Sequence, residues 1–367
     1  MKSKKKITVA VLMGGRSAEH EISLQSAKNV IAAMDKKKYN VVPIGIDRSG
    51  QWYAINSKKL FLDENNPKKI SLSTHRTEII IKTDHDITRT CSVTPYRKMS
   101  KIDVVFPVLH GTYGEDGTMQ GFLETLNVPY VGPDVLGSAI GMDKDIAKRL
   151  LRDAAIPISD FIAFKRHEKL PTFTEIKRKF GVPFFVKPAN AGSSVGISNV
   201  HNQKEYKMAL KNAFRFDTKI LIEEFIKGRE IECAVLGNEY PKASLPGEIM
   251  LRKHEFYSYK AKYLDRKGAV LKIPAPLPKN IVTKIQKIAI NAFQTLSCEG
   301  MARVDFFLAK DDTVYVGEIN TIPGFTKISM YPKLWEVSGL SYPKLIDRLI
   351  SLAIERFRRK QKIKLSY

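Results

Sequence analysis

Residues 301–329 read M-A-R-V-D-F-F-L-A-K-D-D-T-V-Y-V-G-E-I-N-T-I-P-G-F-T-K-I-S. Two apolar runs, 304–309 and 313–319, flank Lys310-Asp311-Asp312, which is hairpin punctuation. Side chains alternate along a strand, so Arg303 and Asp305 share one face of the first run. Glu318 and Asn320 share one face of the second. Paired, the hairpin presents two acids, an amide and a guanidinium together, beside apolar walls. Hard divalent cations such as Mg2+ take that oxygen set, with phosphates completing the shell. The pattern also suits the solvated face of an edge hairpin, although its flanking residues are very apolar for a fully wet face. The turn Thr321-Ile322-Pro323-Gly324 can aim a backbone N–H back at the same spot.

The chain has 367 residues, a length that favours two or three domains. No apolar run approaches the 18 or so residues of a membrane span. The basic N-terminal residues lead into a short apolar run, 7–13, that ends at Gly14-Gly15. That pattern reads as a first strand and its turn, not as a signal peptide. Cys91, Cys233 and Cys298 are scattered and support neither a zinc site nor a disulfide framework. A cytoplasmic protein is the simplest reading. Lys and Arg number 61 against 38 Asp and Glu, a net charge of +23 that raises the question of a nucleic-acid partner. Basic residues are concentrated only at 2–6 and 358–364, and no zinc-finger or RNP-type motif is present. A general attraction for anionic substrates accounts for the charge without nucleic acid.

Residues 6–13 form a buried parallel strand by pattern. Gly14-Gly15-Arg16 then turns into a helix, with Ser17 as N-cap and Glu19 in its first turn. Ala27, Val30, Ile31 and Met34 repeat at helical spacing, and 41–46 is a second strand. Strand, Gly turn, helix, strand is an α/β opening. Residues 57–100 are polar, with one strand-like patch at Ile79-Ile80-Ile81 and no evident chemistry. A buried strand at 102–109 ends in His110-Gly111-Thr112-Tyr113-Gly114-Glu115-Asp116-Gly117. Met119, Phe122, Leu123 and Leu126 then mark one helix face. Met142-Asp143-Lys144 begins another helix, with Ile146, Leu150 and Leu151 apolar, stopped before Pro157. Strands are expected at 184–187, 219–226 and 231–236, and helices along 281–293 and 345–357. Residues 247–268 carry neither period and are expected to act as a lid that orders over a ligand.

Asn190-Ala191-Gly192-Ser193-Ser194-Val195-Gly196 is a small-residue loop. Its glycines let backbone approach a ligand, and its serines are phosphate donors. It is not a Walker pattern, and an ordinary turn has the same composition. Lys187 ends the apolar strand just before it and needs an anion to offset its desolvation. Lys144 is a second candidate for that anion, with a surface lysine as the plain alternative. Glu223-Glu224-Phe225-Ile226 looks like a strand edge whose backbone could meet an adenine, with Glu230 placed for ribose hydroxyls. From the residues alone, a plain edge strand with solvated acids explains Glu223 and Glu224 more simply.

Several motifs occur in a fixed order: Gly14-Gly15-Arg16-Ser17-Ala18-Glu19; His110-Gly111 with Gly114-Glu115-Asp116-Gly117; Met142-Asp143-Lys144; Lys187-Pro188 with Gly192-Ser193-Ser194-Val195-Gly196; Tyr259-Lys260-Ala261-Lys262-Tyr263; Arg303-Val304-Asp305; and Glu318-Ile319-Asn320-Thr321 with Pro323-Gly324. Together they resemble the D-alanine–D-alanine ligases of the ATP-grasp superfamily. Each motif is modest alone; the joint order is specific and covers nearly the whole chain. Residues 57–100 look like the insertion of the longer members.

The resemblance implies an α/β fold of three domains with a parallel N-terminal sheet, divided at 1–133, 134–228 and 229–367. It implies that ATP phosphorylates the carboxylate of one D-alanine and that the amine of a second attacks the acyl phosphate. It assigns two Mg2+ ions, with Mn2+ as a substitute, to Asp305, Glu318 and Asn320. It assigns ATP to Lys144, Lys187, Ser194, Glu223, Glu224, Ile226, Glu230, Lys262 and Phe307. Arg303 and the Gly324 N–H would meet the oxyanion, and Glu19 would hold the ammonium of the first D-alanine. Glu19, Ser193 and Tyr263 would tie the first domain to the closing loop. His110 would lie near the first substrate and Ser329 at the second carboxylate. The plainer reading of His110 is a strand-end histidine satisfied by backbone. Some members carry lysine where this chain has Glu224, which leaves base contact there to the backbone. Tyrosine at 263 goes with dipeptide formation in this family, and phenylalanine with the relatives that join D-alanine to D-lactate. A homodimer is the family habit.

Overall fold

The computed structural model describes residues 5–364 other than 56–58, 65, 67–68, 85–86, 94–96 and 252–268. The chain opens with β1 (Ile7–Gly14), α1 (His20–Ala33), β2 (Tyr39–Ile46) and β3 (Trp52–Ile55). The short strands β4 (Phe61–Leu62) and β5 (Ser71–Leu72) pair with each other. Next come β6 (Arg76–Asp84), β7 (Ile87–Ser92), β8 (Arg97–Lys101), β9 (Val104–Val108), α2 (Thr118–Thr125), α3 (Val135–Met142) and α4 (Lys144–Asp153). A middle portion holds β10 (Phe161–Lys165), α5 (Phe173–Phe180), β11 (Phe184–Pro188), β12 (Ser198–Val200), α6 (Gln203–Ala213) and β13 (Lys219–Glu224). The remainder holds β14 (Gly228–Gly237), β15 (Lys242–Ala243), β16 (Gly247–Leu251), β17 (Ala269–Lys272), α7 (Lys279–Thr295), β18 (Gly300–Ala309), β19 (Val314–Asn320), α8 (Met330–Val337) and α9 (Tyr342–Lys360).

Three sheets organise these elements. The first has seven strands in the order β8-β7-β6-β3-β2-β1-β9. Only β2, β1 and β9 run parallel, and the other pairings are antiparallel. The parallel trio is the expected opening, and β1 is apolar because it lies at its centre and is covered on both faces. The second sheet is antiparallel, β10-β13-β11-β12, and rests on α5 and α6. The third is β17-β16-β14-β18-β19, with β15 beside β14.

The hairpin read from sequence is β18–β19, paired Arg303 with Asn320 and Asp305 with Glu318. The register shifts between Asp305 and Phe306, so Gly317 is an unpaired bulge residue. That bulge reconciles two demands. Val314, Val316 and Ile319 are buried in the core over α7, whereas Glu318 and Asn320 share the opposite face with Asp305. Without the extra residue, Val316 and Glu318 would point the same way. The opposite face of the third sheet changes character along its length. At one end Leu236 and Met301 join the core; at the other, Glu230, Glu232, Arg303 and Asp305 replace apolar residues. Helix α9 packs against both β9 and β18, so one core is continuous between the first and third sheets.

Several expectations need correction. Residues 57–100 contribute strands that widen the first sheet. Helix α1 begins at His20, because the Ser17 hydroxyl takes the Glu19 N–H three residues before helical bonding starts. Met142 ends a helix, α3, and Asp143 caps α4 by accepting from the Asp145 and Ile146 N–H groups. Ile146 and Phe122 are exposed, although the Phe122 ring meets Trp52 at 5.7 Å. Strand β13 ends at Glu224, which leaves Phe225 and Ile226 beyond it. Residues 247–251 are strand β16, and the rest of the expected lid, with Lys262 and Tyr263, lies outside the described residues.

Candidate active site

The carboxyl ends of β1 and β9 lie side by side in the first sheet, a place where open α/β sheets bind ligands. Glu19 follows β1, and His110 follows β9. Opposite them stand the loop after β11, the polar end of β18–β19 and the turn before α8. These pieces enclose a cleft with a free volume of about 120 Å³, lined by Glu19, His110, Glu115, Ser193, Glu232, Arg303, Asn320, Gly324 and Ser329.

On the first-sheet side, Glu19 is buried and accepts a hydrogen bond from the Ser193 hydroxyl. The contact joins the start of α1 to the small-residue loop, where Ser193 and Ser194 are both in the left-handed region at φ +51 and +59. A Cβ at Gly111 would stand 2.9 Å from Glu19 Oε2 and 2.8 Å from Ser17 Oγ, so only glycine leaves room for this carboxylate. His110 is buried and donates from Nδ1 to the Ile322 carbonyl at 3.1 Å, while Nε2 meets Ser26 Oγ at 3.1 Å. It is thus satisfied by a backbone group and lines the cleft as well. Burial lowers the His110 pKa, but the Glu115 carboxylate, 3.8 Å from Nδ1, together with the Glu19 charge and the Ile322 carbonyl outweighs burial and raises it above 6.5.

That balance predicts a pH effect. With its folded pKa raised, His110 adds stability that is fully present below pH 6.5 and lost as pH rises through the folded value. Glu115→Gln removes the largest contribution opposing burial and leaves only the Glu19 charge and the Ile322 carbonyl against it. Its His110 NMR titration should move to lower pH than in the parent, and the parent's stability advantage, measured by urea denaturation, should shrink from pH 6 to pH 8.5. An unchanged His110 midpoint would contradict the assignment.

On the third-sheet side, Arg303 donates to both carboxylate oxygens of Asp305, at 2.7 and 2.6 Å, and its Nε lies 3.0 Å from Glu232. Two acids around one buried guanidinium hold its pKa well above the usual arginine range against burial. Asn320 Nδ2 donates to Asp305 Oδ2 at 2.9 Å. Glu318, directly opposite Asp305, lies 3.9 Å from the Lys144 ammonium. A Cβ on Gly324 would stand 2.8 Å from Ser329 Oγ, so glycine brings that turn against Ser329. The Ser329 hydroxyl also accepts the Thr326 N–H at 3.0 Å.

Asp305, Glu318 and Asn320 are hard oxygen donors on one strand face, and that chemistry suits Mg2+. Among the described residues no group of three or more His, Cys, Asp or Glu is placed to hold a metal. The set therefore depends on the amide oxygen of Asn320 and on oxygens brought by a ligand.

The second sheet holds the other candidates. Lys144 begins α4, donates from Nζ to the Ala191 carbonyl at 2.8 Å, and has its own N–H on the Ala189 carbonyl at 3.1 Å. The helix start is thereby fixed to the small-residue loop. Glu223 is not the solvated acid of an edge strand. Its strand, β13, lies between β10 and β11, and the side chain is buried. Lys148 lies 2.6 Å from Glu223 Oε1, Lys187 pairs with Oε2, and the Ser159 hydroxyl donates to the same group. Burial alone would raise the Glu223 pKa; the two lysines overcome it and bring the group down to about 2. Glu224 turns instead to the Asp160 N–H at 2.7 Å. Glu230 lies across β14–β18 from Phe307 and on the face that bears Glu232 and Asp305.

The cleft thus gathers Glu19, Ser193, Arg303, Gly324, His110 and Ser329. Asn320 lines it too, its hairpin neighbours Asp305 and Glu318 adjoin it, and Lys187 and Glu223 stand in the second sheet. Sequence reasoning passed over Glu232, Lys148 and Glu115. A signal existed for each. Glu232 alternates with Glu230 in an otherwise apolar strand, Lys148 falls one helical turn after Lys144, and Glu115 follows His110 within the same glycine-rich turn.

The family model described as D-ala D-ala ligase N-terminus matches residues 8–133, and that described as D-ala D-ala ligase C-terminus matches residues 150–351. A curated D-alanine–D-alanine ligase from Oceanobacillus iheyensis is 52% identical over 359 residues, covering 98% of each chain. The solved D-alanine-D-alanine ligase of Coxiella burnetii is 42% identical at a TM-score of 0.86, covering 98% of this chain and 97% of its own. The VanG D-Ala:D-Ser ligase of Enterococcus faecalis is 37% identical at a TM-score of 0.84, covering 95% of this chain and 100% of its own. Matched in both halves by these family models and over nearly its full length by such relatives, the chain belongs to the D-alanine–D-alanine ligase family, with its ATP-grasp fold.

Proposed function

We propose that this protein joins two molecules of D-alanine into D-alanyl-D-alanine, with cleavage of ATP to ADP and phosphate, as a step in the cytoplasmic synthesis of peptidoglycan precursors. The observation that carries this reading is the convergence of Glu19, His110, Arg303, Gly324 and Ser329 on one cleft beside the acidic face of β18–β19. The reading divides the chain at 1–133, 134–228 and 229–367 and takes the working unit to be a homodimer.

The carboxylate of the first D-alanine attacks the γ-phosphoryl group. Two anions must approach, so charge has to be neutralised; Lys144, Lys187 and Lys262 serve that need. Asp305, Glu318 and Asn320 would hold two Mg2+ ions, or Mn2+ in their place, which when bound supply further positive charge at the phosphates. Ser194, Glu223, Glu224, Ile226, Glu230 and Phe307 form the rest of the nucleotide site. Glu19, steadied by Ser193 and Tyr263, receives the ammonium of the first D-alanine, and His110 stands beside it. Ser329 receives the carboxylate of the second. The second amine then attacks the acyl phosphate, and the oxyanion that forms meets Arg303 and the Gly324 N–H.

The test is a competition. Equal D-alanine, D-serine and D-lactate are supplied with ATP at pH 6 and pH 8, and products are resolved by mass. A site that holds an N–H partner rejects a hydroxyl nucleophile by roughly 10⁴-fold in favourable cases. D-alanyl-D-alanine should dominate at both pH values, and Tyr263→Phe should raise the D-lactate share. Predominant D-alanyl-D-serine or D-alanyl-D-lactate from the unaltered protein would refute the acceptor assignment. No phosphate release with D-alanine would refute the reaction.

A further inference from the structure

Lys148 is the most buried of the lysines in the second-sheet cluster, with its side chain 3% exposed. It reaches Glu223 Oε1 at 2.6 Å and donates to the Ser159 hydroxyl and carbonyl at 2.8 and 3.3 Å. Its ammonium also lies 5.5 Å from the centre of the Phe161 ring. Lys187 takes the other oxygen, Oε2, and is the more open of the two, with its side chain 14% exposed. The groups facing Glu223 are therefore Lys148 from α4, Lys187 from β11 and the Ser159 hydroxyl; Glu224, next along β13, turns to the Asp160 N–H. One buried carboxylate shared by two lysines can release one of them to another anion and keep the other, and the Glu224 charge also acts on Lys148.

We propose that Lys148 is a positioning residue for nucleotide binding: it keeps Glu223 paired when Lys187 leaves that carboxylate for a phosphate oxygen of ATP. This rests on the reading of Lys187 as a phosphate ligand. In the free protein Glu223 holds Lys187 in place. When a nucleotide arrives, Lys187 exchanges one anion for another, and Lys148 with Ser159 remains on Glu223. Without Lys148, the same exchange would strand a buried carboxylate, which then has to take up a proton.

The experiment measures ATP binding by calorimetry in Mg2+ without D-alanine, at pH 6 to 8.5 and in two buffers of different ionisation enthalpy. Lys148→Met should weaken ATP by about tenfold or more at pH 8. Its affinity should recover as pH falls, with proton uptake beyond that of the parent, because protonated Glu223 releases Lys187. The double variant Lys148→Met with Glu223→Gln keeps the test open if the single variant folds poorly, since it strands no charge. Measured against Glu223→Gln alone, which accounts for any contact of Glu223 with the nucleotide, it should bind ATP equally well and show no added pH slope. A merely structural Lys148 would weaken binding at every pH alike, without extra proton uptake, and that result would overturn the proposal. Lys187→Met separates the two readings. Unchanged ATP affinity there would overturn the phosphate role of Lys187 and the exchange with it. Weakened affinity in Lys187→Met, combined with a flat pH profile in Lys148→Met, would overturn the exchange alone.

Discussion

Glu318→Gln should reduce turnover by roughly 10³-fold or more at saturating ATP while the protein melts close to the parent temperature, on the proposal that this carboxylate holds metal at the transferring phosphates. The side chain is 36% exposed, and the Lys144 ammonium lies 3.9 Å away. A partly solvated pair of that length contributes little to folding, about 0–1 kcal/mol. Glutamine keeps the shape and the strand register opposite Asp305. What it lacks is the negative charge that a hard cation needs. Excess Mg2+ should recover part of the rate, because weakened binding responds to mass action. The check is phosphate release against Mg2+ concentration, beside a thermal melt. Near-parent turnover in a normally folded variant would remove Glu318 from the metal set.

The acidic face was legible because its signal is local. Alternation over a few residues sets Arg303 beside Asp305 and Glu318 beside Asn320, and one Lys-Asp-Asp turn folds the two runs together; setting Asp305 against Glu318 takes the bulge. The bulge at Gly317 was not read, although Val314, Val316 and Glu318 share a parity that no regular strand can satisfy on two faces. Glu223 was misjudged for a different reason. Whether a strand is edge or central depends on partners that arrive from elsewhere, and β10 and β11 close over β13 from both sides. Within 57–100 the strand-like patch at 79–81 was read and lies in β6, but β7 was missed because threonine and serine occupy its inward positions. Thr88, Thr90 and Ser92 are buried there, and Thr83 and Thr88 donate to the Leu126 carbonyl. A periodicity counted in aliphatic residues does not register an inward face made of hydroxyls. The joint order of the motifs carried the family, whereas the charge network behind Lys187 became visible only in three dimensions.

Arg303→Met should damage stability and catalysis together, and the two losses should come apart in a second variant. Arg303 is largely shielded between Asp305 and Glu232, and both acids pair with it. Methionine fills much of the same volume but leaves the buried Glu232 and the half-buried Asp305 facing each other across β14–β18, where they are register partners. Removing the cation of a buried ionic group costs about 3–5 kcal/mol, because the charges left behind have lost their solvent and the positive charge that offset them. The midpoint of urea unfolding should fall accordingly. Adding Glu232→Gln removes one stranded charge, so the double variant should regain a large part of that stability. It should regain little activity, since neither methionine nor glutamine replaces a cationic donor at the oxyanion, a loss worth about 10²–10³-fold in other enzymes. Urea unfolding together with single-turnover formation of product from pre-bound ATP and D-alanine reads both effects. If the double variant regains stability and rate in equal measure, Arg303 serves only to hold the sheet together and the oxyanion must find its partner elsewhere.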